Sequence, residues 1–267
     1  MQEIDIITRN FLRLLRSGAL QEDESLEPMS HFKWERLGQM IHVQRVESIV
    51  RTGLNRVGGA VWTNLPESFM TDYLREDTGA PFDLQLSNRF LNARYHHIVN
   101  HELHAIDTNV ASLDLLKIIV GTVSTMLNRG IMMKGVIDLG CYLRTKGDQV
   151  DFVKLDAWLS KLHLRRMAQL QGSMLVAVFH FEADEIPFVQ HFETSAYKLV
   201  LRSVYHTASD TAEEWHFRQS RTGFVTNNSQ LLRRSLRRSL RYLVYAPIET
   251  VSNYFSNFAR SLQEIEE

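Results

Sequence analysis

Four histidines fall within nine residues of the stretch RYHHIVNHELHAID: His96, His97, His101 and His104. On a helix His97 and His101 stand at i and i+4, the spacing at which two imidazoles can share a zinc ion, so they are the candidate metal ligands. His101 and His104 follow as His-Glu-Leu-His, which sets them about 300° apart around a helix and leaves Glu102 off their face. That order departs from His-Glu-x-x-His, and a polar surface helix is the simpler expectation. Arg89 precedes His96 by seven positions. Such a pair could hold a scissile phosphate with the guanidinium and move a proton with the imidazole. A third candidate is cationic: Arg233, Arg234, Arg237, Arg238 and Arg241 line one side of a helical segment, with Leu232, Leu236 and Leu240 on another. They could grip phosphate in a nucleotide, a nucleic acid or a lipid headgroup, or form a solvated basic face paired with Glu213, Glu214, Glu264, Glu266 and Glu267. Asp138 sits in an apolar helical stretch where a lone carboxylate needs a partner, and Lys134 one turn earlier or Arg144 can supply it.

Other chemistries lack their residues. A nucleotide-transferring centre needs a glycine turn and two carboxylates at i and i+2 on a strand, facing shared magnesium ions. Gly58-Gly59 is followed by Asp72-Tyr73-Leu74, which offers one acid, and Asp148 and Asp151 are three apart. No Ser-His-Asp set, phosphate loop or cysteine pair occurs. The single cysteine, Cys141, is expected to be a small buried hydrophobe and fits a reducing compartment.

The 267 residues suffice for one large domain or two small ones, and 44% hydrophobic with 23% charged residues is an ordinary globular composition. A net charge of -1 and a pI near 6.8 give no whole-molecule attraction to nucleic acid or acidic membranes. The start MQEIDIITRNFLRLL lacks the basic region and cleavage site of a signal peptide. No apolar run is expected to reach the roughly 20 residues of a membrane span, and a cytoplasmic location follows.

The elements that must position these residues are helical. Ile4, Ile7, Phe11, Leu14 and Leu15 predict a first helix ending near Gly18, and QEDESLEP reads as a solvated acidic loop closed by Pro28. Ser30 stands where an N-cap would, and a short helix through Val46, Ile49 and Val50 is expected to stop at Gly53. Residues 55–83 form a connector with a short helix from Pro66. A polar helix is expected from Leu84 to Ile106, an apolar one from Leu113 to Gly130, another from Ile131 to Arg144, and one capped by Asp151. Residues 173–181 and 197–206 suit a buried strand or a helix equally. Helix resumes from Asn228 to Tyr245, and Pro247 opens a last one with Ile248, Val251, Phe255, Phe258 and Leu262 on one stripe. The expected fold is all-α and bundle-like, with at most a minor irregular or short-strand segment. Residues 1–83 form an N-terminal part and 84–267 the main helical domain.

The run from Gly130 to Phe188 resembles the C-terminal helical part of the uncharacterised bacterial nucleotidyltransferase family. Gly130, Ile131, Asp138, Asp151, Trp158, Leu159 and Glu185-x-Pro187-Phe188 fall in step with it. SQLLRRSLRRSLRYLVYAPIETVSNYF is similar to that family's Arg-rich helix and Ala-Pro break, and FKWERLGQMIHVQRVESIVRTGL to its N-terminal helices. The resemblance implies a nucleotidyltransferase core with added helices, often linked to polysaccharide biosynthesis. Here the family's Arg-Gln pair becomes Lys134-Gly135, its Trp becomes Leu139, and the stretch between the matching parts is too short for the core. The first expectation is therefore a non-catalytic relative acting as a binding or interaction module, without a cofactor, through a protein partner, self-association or a nucleotide or phosphate ligand, with nucleic acid disfavoured. The alternatives are an active nucleotidyltransferase using Mg2+ and a nucleotide, and a helical ribonuclease or antitoxin-like protein using Arg89 and His96.

Overall fold

A computed structural model describes residues 4–58, 65–74, 84–205, 236 and 239–266, with backbone alone from 260 onward. Among these residues the fold is all-α and contains no strand. The chain divides into two units: Met1–Pro81 with Met132–Ile137 and Tyr197–Arg221, and Phe82–Ile131 with Asp138–Ala196 and Thr222–Glu267.

The first unit is built on α1 (Ile6–Leu20), α2 (His31–Gln44), α3 (Glu47–Val57) and the short α4 (Phe69–Tyr73). Asp5 caps α1 by accepting from the Thr8 N–H at 2.9 Å, and the chain leaves α1 through Gln21 at φ 61°. The expected stops at Gly18 and Gly53 are corrected: α1 runs on to Leu20 and α3 to Val57. Both glycines serve the crossing of these two helices. A Cβ on Gly18 would lie 2.0 Å from the Ile49 carbonyl oxygen, and one on Gly53 2.4 Å from that of Leu14. Side chains are absent there because backbone meets backbone.

The acidic stretch after α1 is also more than a solvated loop. Glu27 takes two hydrogen bonds from Arg9, each 2.8 Å, and an ion pair from Arg13 at 3.0 Å, while Glu24 pairs with Arg16. Asn10, fully buried, clamps the Glu27 backbone on both sides, with its side-chain N–H donating at 2.8 Å and its oxygen accepting at 3.0 Å. These bonds tie the strap along the arginine row of α1. The Arg9 guanidinium holds the Glu27 carboxyl below the usual carboxylate range, against the opposing effect of burial.

The second unit surrounds α6 (Val110–Arg129), which packs against α5 (Arg89–Leu103), α8 (Phe152–Lys161), α9 (Arg165–Phe179) and the last helix, α11 (Pro247–Glu266). Asn88, Asn109 and Asp151 cap α5, α6 and α8 with their side-chain oxygens. The polar helix therefore starts at Arg89 rather than Leu84, and Gly130 ends α6 at φ 94°. α7 (Met133–Lys146) has its first turn in the first unit and its remainder in the second. Both ambiguous stretches are helix: 173–179 lies in α9, and 196–205 forms α10.

Two expectations about apolar residues change. α6 is 20 residues long and apolar enough to cross a bilayer, so one run does reach that length. In its most apolar window 67% of the residues are buried inside the fold, as befits a helix with four helical neighbours. Cys141 is half-buried rather than fully buried.

Candidate functional site

The candidate histidines lie on α5, which is capped by Asn88 and buries Leu91, Tyr95, Ile98 and Glu102. His96, His97, His101 and His104 are all exposed, as is Arg89. The His97 and His101 rings stand 6.1 Å apart between centroids, as i, i+4 spacing requires. Among the described residues no group of three or more His, Cys, Asp or Glu side chains is placed to hold a metal ion. Arg89 and His96, two helical turns apart, share the exposed side of α5.

Glu102, which the spacing leaves off the histidine face, turns out to be the buried acid of this region, at 5% exposure. Its carboxylate accepts from the Asn109 N–H at 2.8 Å, where α6 begins, and from Lys154 of α8 at 3.1 Å. The same ammonium reaches Asp107 at 3.0 Å. Hydrogen bonding to Lys154 lowers the Asp107 pKa, and hydrogen bonds to Asp107 and Glu102 raise that of Lys154. Glu102 at the end of α5, Asn109 at the start of α6 and Lys154 on α8 meet through these bonds, so the cluster fastens structure. A Lys fifty residues downstream gives no local signal for such a pairing.

Lys134 and Asp138 stand one turn apart on α7, both half-buried, and neither lacks a polar partner. Arg144 pairs with Glu185 at 3.0 Å and lies 4.2 Å from the centroid of the Phe181 ring. Of the arginine row, Arg233, Arg234, Arg237 and Arg238 lie outside the described residues, as do their proposed partners Glu213 and Glu214. Arg241 is described, half-buried at the end of a helical turn at 239–242.

The feature that residue spacing alone did not orient is the polarity of α11. Its polar side is the buried one. Glu249, Thr250 and Asn253 are at most 4% exposed. Glu249 accepts from the backbone N–H groups of Ser87 and Asn88, the latter at 3.1 Å. The Ser87 hydroxyl meets the Asn253 side-chain oxygen at 2.9 Å, Asn88 donates to the Ser252 hydroxyl at 2.9 Å, and Asn257 donates to Asn128 at 3.1 Å. The turn before α11 is held too: the Arg166 guanidinium donates to the Val244 carbonyl at 3.1 Å, and Tyr245 and Ser195 share a hydroxyl bond of 2.7 Å. The apolar side faces out. Ile248, Val251, Phe255 and Phe258 are all exposed, Phe255 to 61%, and ahead of the helix Leu240, Leu243 and Val244 are exposed too, Val244 to 59%.

Polar groups fix the helix and leave its apolar stripe to water, which inverts the usual arrangement of a surface helix. The i, i+3, i+7, i+10 spacing of Ile248, Val251, Phe255 and Phe258 makes the stripe continuous along the axis. Comparison of the chain with known families, curated proteins and solved structures returns no match.

Proposed function

We propose that this protein is an interaction module, a helical relative of the nucleotidyltransferase-like kind, whose contact surface is the outward apolar stripe of residues 240–258. The single observation that supports the reading is the inversion of α11. Five hydrogen bonds fix its inner side within the second unit, so the helix cannot roll its phenylalanines inward without unpairing Glu249 and Asn253. Leaving several aliphatic and aromatic side chains half in water costs roughly 1 kcal/mol or more for each. A surface kept at that cost is one that is covered in use.

The test is photo-crosslinking in living cells, with a photoreactive phenylalanine analogue placed at Phe255 and, as a control, at Val153. Val153 is 83% exposed on α8. Position 255 is expected to give a discrete adduct and position 153 none. If 255 labels no better than 153, the surface is bare and the reading falls.

A further inference from the structure

The outward side of α5 carries two imidazoles that the fold does not use. His97 and His101 are exposed, and neither ring makes a hydrogen bond or an ion pair among the described residues. They stand one helical turn apart, with ring centroids 6.1 Å from each other. Two imidazoles that share a tetrahedral ion, each nitrogen about 2.0–2.1 Å from it, bring their centroids to roughly 5 Å. Rotation about exposed side-chain bonds closes a gap of about 1 Å without moving the backbone. The helix beneath them is fixed, because Leu91, Tyr95 and Ile98 are buried and Asn88 caps its start. The pair is therefore near chelating distance before any ion arrives.

We infer that His97 and His101 form a two-nitrogen chelate for a borderline divalent transition ion, Zn2+, Ni2+ or Cu2+. Imidazole nitrogens suit these ions, whereas Mg2+ and Ca2+ take oxygen donors. Among the described residues no third His, Cys, Asp or Glu side chain is placed with the two, so water fills the remaining positions. The surrounding charges do not repel a dication. Arg94, three residues before His97, donates to the Lys161 carbonyl at 3.3 Å, and past His101 the Lys154 ammonium sits between Glu102 and Asp107. Two cations are thus matched by two acids. Hydrogen bonding to Lys154 is the main cause of the lowered Asp107 carboxyl, and a positive charge on His101 adds to it, so that acid lies within electrostatic reach of the ring. The chelate uses no residue of 240–258 and stands whether or not the stripe is covered.

The experiment is isothermal titration of the full, untagged chain, stripped of metal with a chelator, with NiCl2 and separately with MgCl2. Ni2+ is expected to bind one-to-one and Mg2+ not at all. His97→Ala and His101→Ala should each weaken Ni2+ binding about tenfold or more, because a lone imidazole loses the effective concentration that its neighbour supplies. The joint variant should lose little further. His96→Ala, also exposed on α5, and Cys141→Ser should bind as wild type does. Alanine at an exposed helical position keeps the helix, so the fold survives each histidine change. Ni2+ should also raise the thermal midpoint of wild type and of His96→Ala, but not of His97→Ala or His101→Ala, since the ion binds the formed helix. Wild-type affinity in either the His97 or the His101 variant overturns the inference, as does the absence of Ni2+ binding. So does an equal loss in His96→Ala or Cys141→Ser, which would place the ion elsewhere.

Discussion

Glu249 carries an unusual load for one side chain. It belongs to the first turn of α11, yet its two oxygens serve the N–H groups of Ser87 and Asn88 where α5 begins. An anion at a helix start is favoured by the exposed N–H groups there. Burial nevertheless dominates and raises the Glu249 carboxyl above its ordinary value, opposed by the bonds from Ser87 and Asn88. A raised carboxyl means that the folded protein holds the proton more tightly than the unfolded chain does. Stability from this group is then full below the ordinary carboxylate range, declines as pH rises through the raised folded value, and stays at its lower level through neutrality. Glu249→Gln should flatten that decline in urea-unfolding midpoints compared between acid and neutral pH. Glu249→Ala strands two buried N–H donors and should cost about 1–3 kcal/mol at any pH. Equal costs for the two variants, or an unchanged pH profile in Glu249→Gln, would mean the carboxylate is not what joins α5 to α11.

Among elements, the crossing of α1 and α3 depends on the lack of two side chains. A Cβ on Gly18 falls 2.0 Å from a backbone oxygen that no rotamer change can move, so the helices would have to separate. Gly18→Ala should therefore destabilise by roughly 1–3 kcal/mol in chemical denaturation, despite alanine's better helix propensity. Gly147→Ala is the control: nothing lies within 4 Å of its Cβ, and stability should hold or rise slightly. A harmless Gly18→Ala would show that the crossing does not depend on this close backbone approach. The same pair explains what the sequence could convey. Local chemistry was legible: Asp151 as a cap, Gly130 as a stop and Pro247 as a start all appear where side-chain type alone puts them. Gly18 and Gly53 were not, because a glycine that ends a helix and one that admits a neighbouring backbone look alike until the neighbour is known. The stripe of α11 was visible as a stripe, but periodicity has no sign. Only the bonds that α11 makes with Ser87, Asn88 and Asn128 decide which side is inward. Glu102 was hidden for a similar reason, since its partner lies on α8.

At the level of the whole molecule, the first unit draws on chain far beyond its helices. Met132–Ile137 belongs to it, as does the segment from Tyr197. Met133 gives its N–H to the buried Gln44 side-chain oxygen at 2.8 Å. Met133, Val136, Ile137, Val200 and Val204 are each at most 2% exposed. At about 1.5–3 kcal/mol for each fully buried aliphatic side chain, these five contribute roughly 7–15 kcal/mol. That equals the whole net stability of a typical domain, about 5–15 kcal/mol. A fragment of residues 1–83 should consequently lack a cooperative thermal transition and show low helicity by circular dichroism, while the full chain unfolds sharply. Near-native helicity with a sigmoidal melt in the fragment would mean that α1 to α3 hold together on the Gly18–Gly53 crossing and the Arg9–Glu27 strap alone. The two outcomes separate a unit closed by distant chain from one closed by its own helices. Because α7 begins in one unit and ends in the other, the first outcome also makes the fold of residues 1–83 conditional on the start of α7.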